Sequence, residues 1–137
     1  MRTALDTNIL SALWSRGPLA QTIAARLGTA RGDGGLVISP VVFAELLAYP
    51  KATECFLMDF LAATGITVDS VLPEKVWLEA GRRFASYASR RRKSSKEGPK
   101  RLLADFIVGA HAMMQADRLM TLDPVLYQQD FPELHQF

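Results

Sequence analysis

Four short runs with strand character, at residues 3–5, 36–38, 66–68 and 118–121, punctuate a chain that otherwise reads as helices. This alternation limits the fold more than any other feature. The runs are mostly apolar along their whole length, as strands buried on both faces are. Helix-length segments separate them, too long for hairpin turns. The pattern predicts an α/β fold, a short parallel sheet flanked by helices on both faces, joined by right-handed crossovers. At 137 residues, one domain over 1–137 is expected. In an open sheet of this type, chemistry gathers beyond the C-terminal ends of the strands.

The helices between are marked by their punctuation. Asp6-Thr7-Asn8 offers capping side chains ahead of Ile9, Leu10, Leu13 and Trp14 at helical spacing, and Gly17-Pro18 ends that helix. A second helix is expected over about 19–27, with Gly28, Gly32, Gly34 and Gly35 marking the connection after it. Ser39-Pro40 reads as cap and first helical position; that helix should end near Tyr49, ahead of Pro50. Another runs over roughly 52–63 and stops at Gly65. Pro73 opens a long helix with Trp77, Ala80, Phe84 and Ala88 as its inward stripe, growing basic toward its end. A loop is expected over 94–99, then a helix through Asp105, and a last helical turn starting at Asp123-Pro124.

Cys55 is the single cysteine, so no internal disulfide forms, and a reducing compartment fits. It stands among Phe56, Leu57 and Met58 and is expected in the core. No stretch is apolar enough to span a bilayer, and no signal-like hydrophobic region follows Met1 and Arg2. The expectation is a cytoplasmic protein without membrane attachment.

The chemistry lies in the acids. The stretch from Arg101 to Met113 is almost wholly apolar and small, yet holds Asp105. A buried carboxylate is costly unless it is paired, hydrogen-bonded or bound to a metal. Asp6 falls at the end of the first strand and Asp123 two residues after Thr121, just past the last. Glu45 is almost two turns into the helix leaving the second strand. A parallel sheet would bring Asp6 and Asp123 to one edge and let the two helices lean Glu45 and Asp105 over it. Four acids in one cleft repel each other and call for cations. Oxygen donors alone suit Mg²⁺ or Mn²⁺. Zinc is disfavoured, since His111 and His135 have no ligand spacing. Such ions polarise a phosphodiester and generate a hydroxide nucleophile.

Each acid also has a structural explanation. Asp6 and Asp123 can cap helices, Glu45 can face solvent, and Asp105 can pair with Arg101 four residues back. Thr7, Asn8 and Thr121 are candidates to support the acids. Gly109 favours close helix packing, and His111 reads as a core or boundary histidine. Net charge is only +2, but seven Lys/Arg and one Glu lie between Arg90 and Arg101. Arg90, Arg91, Arg92, Lys93, Lys100 and Arg101 are candidate phosphate contacts, with a solvated helix end as the alternative.

Leu5-Asp6-Thr7-Asn8, the segment 40–47 with Glu45, Leu102-Leu103-Ala104-Asp105-Phe106-Ile107 and Thr121-Leu122-Asp123 together resemble a PIN domain. They are most similar to the VapC-type toxins of prokaryotic toxin–antitoxin pairs, and the resemblance covers essentially the whole chain. It implies that Asp6, Glu45, Asp105 and Asp123 form an acidic metal site, supported by Thr7, Asn8 and Thr121. It further implies a Mg²⁺- or Mn²⁺-dependent endoribonuclease that leaves 5′-phosphate and 3′-hydroxyl ends, with transfer RNA a common target. A homodimer and a cognate antitoxin partner are implied too, with DNA contacted only through the antitoxin. Two alternatives stand beside this: an aspartyl-phosphate-type phosphatase, which would want an aspartate where Asn8 stands, and a non-catalytic regulatory partner in an operator-DNA-binding complex.

Overall fold

The computed structural model describes residues 1–94 and 100–137. The loop expected over 94–99 lies, from residue 95 on, outside the described residues. The order of elements is β1 (Thr3–Leu5), α1 (Thr7–Trp14), α2 (Ala20–Asp33), β2 (Leu36–Ile38), α3 (Pro40–Leu46), α4 (Glu54–Thr64), β3 (Thr67–Val68), α5 (Glu74–Lys93), α6 (Leu103–Gln115), β4 (Arg118–Met120) and α7 (Pro124–Asp130).

The four strands form one parallel sheet in the order β3-β2-β1-β4, flanked by helices. Ala4 pairs with Val37 on one side and with Leu119 on the other. All three side chains are almost fully buried, as their apolar runs require. The chain leaves β1 toward β2 on one side and returns to β4 on the other, so the direction of strand order reverses at β1. A crevice forms at such a switch point, beyond the C-terminal end of the central strand. Leu5, the last residue of β1, faces that end, and Asp6 follows it. The C-terminal tail protects the outer edge of β4: Leu119 N donates to His135 O (2.9 Å) and Phe137 N donates to Leu119 O (3.0 Å).

Helix boundaries differ from expectation where packing outweighs local signals. α2 continues to Asp33 through Gly28 and Gly32. A helical glycine costs about 1 kcal/mol against alanine, but Ile23, Leu27 and Ala30 carry a buried stripe along the whole length. α3 stops at Leu46, short of Tyr49, while Ser39 caps its start by accepting from Val42 N at 3.3 Å. α4 ends at Gly65, whose φ of 71° is the left-handed conformation glycine adopts freely.

Two residues expected in the core are exposed. Ala80 and Phe84 face inward as expected, but Trp77 is 48% exposed, because the stripe of α5 opens on Val76 and continues through Tyr87. Cys55 is exposed because α4 turns Leu57 and Leu61 inward instead. Asp105 sits in the first turn of α6, with Leu102 and Leu103 exposed before it, and the buried face begins at Phe106. His111 is buried, as a core histidine, and donates from Nε2 to Asp69 Oδ2 at 2.8 Å. Gly109 packs: a Cβ there would run into the ring of Phe131. Among the described residues, no helix is long and apolar enough to cross a membrane.

Candidate active site

Asp6 is the innermost acid, only 9% exposed. Its backbone N–H donates to Met120 O (3.0 Å), which carries the β1–β4 pairing one residue past the strand and fixes where the side chain starts. Oδ1 accepts from Thr7 N at 2.8 Å, the N-cap bond of α1. Oδ2 accepts from the Thr121 hydroxyl at 2.7 Å and from the Tyr127 hydroxyl at 3.1 Å. Capping and site geometry therefore coexist on the two oxygens of one carboxylate. Burial raises the proton affinity of Asp6 above the ordinary carboxylate value. The bonds from Thr121, Tyr127 and Thr7 N oppose that rise, and the nearby charge of Asp105 adds to it. In turn, burial and the nearby Asp6 and Asp105 charges push the Tyr127 phenol far above its ordinary value, so it keeps its proton and donates a hydrogen bond throughout the neutral range.

The other acids stand around Asp6, each on its own protein donor. The Thr7 hydroxyl donates to Glu45 Oε1 at 2.6 Å, tying the first turn of α1 to α3. Glu45 is otherwise exposed, on the open side of the crevice. Asn8 Nδ2 donates to Asp123 Oδ2 (3.2 Å) and to Thr121 Oγ1 (3.4 Å), while its Oδ1 accepts from Leu122 N (3.1 Å). Asp123 N donates back to Thr121 Oγ1 at 3.1 Å. Although Asp123 stands at the N-cap position of α7, its side chain makes no capping bond. Asp105 Oδ2 accepts from Leu102 N at 3.2 Å and lies 3.8 Å from Arg101 Nε; the side chain is one-third exposed.

One set of contacts thus runs from Glu45 through Thr7, Asp6 and Thr121 to Asn8 and Asp123, and Asp105 reaches Asp6 through its field. This is looser than the four-acid cluster expected from topology. Among the described residues, no three His, Cys, Asp or Glu side chains are grouped closely enough to hold one ion. The donor set itself suits a hard divalent cation, since the residues at this edge offer carboxylate and hydroxyl oxygens and no thiolate or imidazole.

The basic residues separate into two groups. Arg101 is not a surface residue: it is 4% exposed, and its Nη1 donates to Asp130 Oδ2 at 2.7 Å and to the Leu126 carbonyl. Its burial under α7 removes it from the candidate phosphate contacts. Arg90 also donates to Asp130. Arg92, Lys93 and Lys100 are exposed, and Arg91, Arg92 and Lys100 line an open groove with Phe84 and Tyr87. Tyr127 and the Arg101–Asp130 pair are features that sequence reasoning missed. The available signal for Tyr127 was its position, one helical turn after Asp123.

A family model described as PIN domain matches residues 3–132. Among solved structures, that of VapBC2 from Rickettsia felis bound to a DNA fragment from their promoter is similar to this chain. The TM-score is 0.70 at 21% identity, covering 100% of this chain and 98% of that one. A structure of VapBC-1 from nontypeable Haemophilus influenzae is similar with a TM-score of 0.63 at 21% identity, covering 100% and 97%. At that identity the likeness is one of fold. No curated protein sequence matches the chain.

Proposed function

The chain belongs to the PIN-domain family, and from that premise we propose that it is a Mg²⁺- or Mn²⁺-dependent endoribonuclease, the toxin of a toxin–antitoxin pair. The observation that carries this reading is Asp6, a buried carboxylate at the switch point of a parallel sheet, hydrogen-bonded to Thr121 and Tyr127. Asp6 and Asp105 would hold the principal ion with Glu45 beside them, and Asp123 would serve a second ion or the attacking water. When bound, the ion supplies a polarised phosphodiester and a water of lowered pKa. The protein's own part is orientation. Thr121 and Tyr127 hold Asp6, Thr7 holds Glu45, and Asn8 holds Asp123 at the rim. In-line attack of water on the phosphorus, with the P–O3′ bond breaking and the 3′ oxygen leaving as the hydroxyl, would give 5′-phosphate and 3′-hydroxyl ends.

Arg91, Arg92, Lys93 and Lys100 are the basic residues placed to meet an RNA backbone, with transfer RNA as a candidate substrate. Such contacts position without specifying sequence. The likeness to VapBC structures, one of them bound to promoter DNA, supports a cognate antitoxin as partner and DNA contact through it. A homodimer, a single domain over the whole chain and a cytoplasmic setting complete the proposal. Cleavage sites on total RNA, mapped with and without Mg²⁺, test it. Wild-type protein should cut only with the ion, and Asp6→Asn and Asp105→Asn should not cut. A purified, folded Asp6→Asn protein that cuts RNA at the wild-type rate would refute it.

A further inference from the structure

The end of α5 and the residues that lead into α6 enclose an open groove of about 450 Å³, a volume in the range of small-ligand sites. Its floor is aromatic. Phe84 and Tyr87, one turn apart on α5, lie 28° from parallel with their centroids 6.2 Å apart. Phe106, fully buried, supports both, its centroid 5.3 Å from that of Phe84 and 5.4 Å from that of Tyr87. The Tyr87 hydroxyl accepts from Arg101 N at 2.7 Å, which ties this ring to the chain ahead of α6. Both rings are only half-buried, so they are fixed in place yet still line the groove. Base stacking uses aromatic faces held in this way.

The walls are basic. Arg91, Arg92, Lys100 and Arg101 line the same groove, and among the described residues no carboxylate does. Arg92 and Lys100 are exposed. Arg101 lies beneath, and the carboxylate it bonds, Asp130, is shared with Arg90, so two guanidinium groups divide one countercharge. Cations alone would serve a phosphate backbone, and rings alone would suit an apolar partner. Rings and cations in one groove match a nucleotide, whose base is flat and whose phosphate is anionic.

We propose that this groove binds one unpaired nucleotide of an RNA strand, with its base against Tyr87 and its phosphates on Arg92 and Lys100. The proposal rests on RNA as the ligand class of the proposed function. It adds a requirement for single-stranded RNA at this point, because a base stacked within a duplex offers no free face to a ring. The groove adjoins the proposed cleft. Arg101 lines it and stands four residues before Asp105, with Nε 3.8 Å from Asp105 Oδ2. A strand seated here is thereby led past the acids, and Tyr87 favours substrates with an unpaired base beside the cleavage site.

A short oligouridylate carrying 2-aminopurine tests this in chelator, where the proposed ion is withheld. 2-Aminopurine loses fluorescence when it stacks on an aromatic ring. Wild-type protein should quench it on binding, and Tyr87→Leu, which removes the ring and keeps an apolar side chain, should not. The affinity of the folded variant should fall about tenfold, the scale of one lost base-stacking contact. The slope of log K against log salt should stay as it is, because no phosphate contact is lost. Absence of binding, binding with fluorescence unchanged, or quenching that persists in folded Tyr87→Leu overturns the proposal. Should the variant fail to fold, wild-type protein decides: the Tyr87 ring-proton resonances should move upfield as the oligonucleotide binds, and resonances that stay still overturn the proposal. The two readings fail separately. Quenching by a protein that does not cut RNA with Mg²⁺ removes the nuclease and leaves the groove, whereas cutting without quenching removes the groove alone.

Discussion

The hydroxyl of Tyr127 donates to Asp6 across 3.1 Å, so α7, near the end of the chain, reaches back to the acid that follows the first strand. This bond is one of the influences that oppose the effect of burial on Asp6. Tyr127→Phe removes the donor and leaves the ring in place. Hydrogen bonds to charged groups contribute about 1.5–3 kcal/mol, and the unfolding free energy at neutral pH should drop by roughly that amount, read from urea titrations. The proton affinity of Asp6 should climb further, and the acid limb of the cleavage profile should move to higher pH. A variant with wild-type stability and an unmoved limb would show that the bond has no role.

Asp6 costs the fold stability when no ion is bound. Its folded proton affinity is raised, chiefly by burial. Between its ordinary value of 3.8 and the raised one, the folded state binds more protons than the unfolded state. Stability therefore falls as pH rises through that window and stays low above it. Asp6→Asn removes the charge, and asparagine caps a helix as well as aspartate does. Its amide nitrogen cannot accept from the Thr121 and Tyr127 hydroxyls as Oδ2 does, so in chelator the variant should lose the fall of stability with pH across that window while RNA cleavage is abolished. A variant that keeps the wild-type pH dependence of stability would assign that dependence to another group.

The sheet and the placement of Asp6 were legible because each depends on local signals: apolar strand runs, a capping triplet, and parallel order implied by helix-length crossovers. The residue that opens the α5 stripe was not, because Val76, Trp77 and Leu78 are consecutive apolar residues and any of them can start a helical stripe that continues through Ala80 and Phe84. Only packing against α6 selects Val76. Cys55 failed for the same reason, in a helix start that is apolar on nearly every side. Tyr127 and the pairing of Arg101 with Asp130 depend on how α7 packs beside α6, a tertiary relationship that no spacing encodes. Arg101 illustrates this best: in sequence it closes a basic run, and in space it is a buried countercharge.

His111 makes stability pH-dependent in the opposite sense to Asp6. Burial holds its pKa below the ordinary 6.5, although Asp69 pulls it upward. Below 6.5 the unfolded chain takes up a proton that folded His111 resists, so stability is full above that value and is lost as pH falls toward the folded one. Asp69 adds a separate loss only below its ordinary 3.8, because the bonds from Arg2 and His111 outweigh its burial and lower its folded value. Wild-type unfolding free energy should therefore rise with pH up to 6.5 and level off above it. His111→Gln should flatten that rise. An unchanged slope in the variant would move the effect to another group.

Arg92, Lys93 and Lys100 differ from Arg90 and Arg101 in what they touch, and their substitutions should differ accordingly. The first three are exposed, whereas Arg90 and Arg101 both hold the buried Asp130. Replacing Arg92, Lys93 and Lys100 together by glutamine should leave the urea midpoint nearly unchanged. RNA binding should weaken, and the slope of log K against log salt should drop by about one for each phosphate no longer neutralised. Replacing Asp130 by alanine should instead cost about 3–5 kcal/mol, the range for stranding a buried charge. Its effect on RNA binding should follow from unfolding rather than from any change at the RNA-facing surface. Filter binding of a catalytically inactive Asp6→Asn background, across a salt series, separates the two. An unchanged salt slope in the triple variant would reduce that basic group to a solvated helix end.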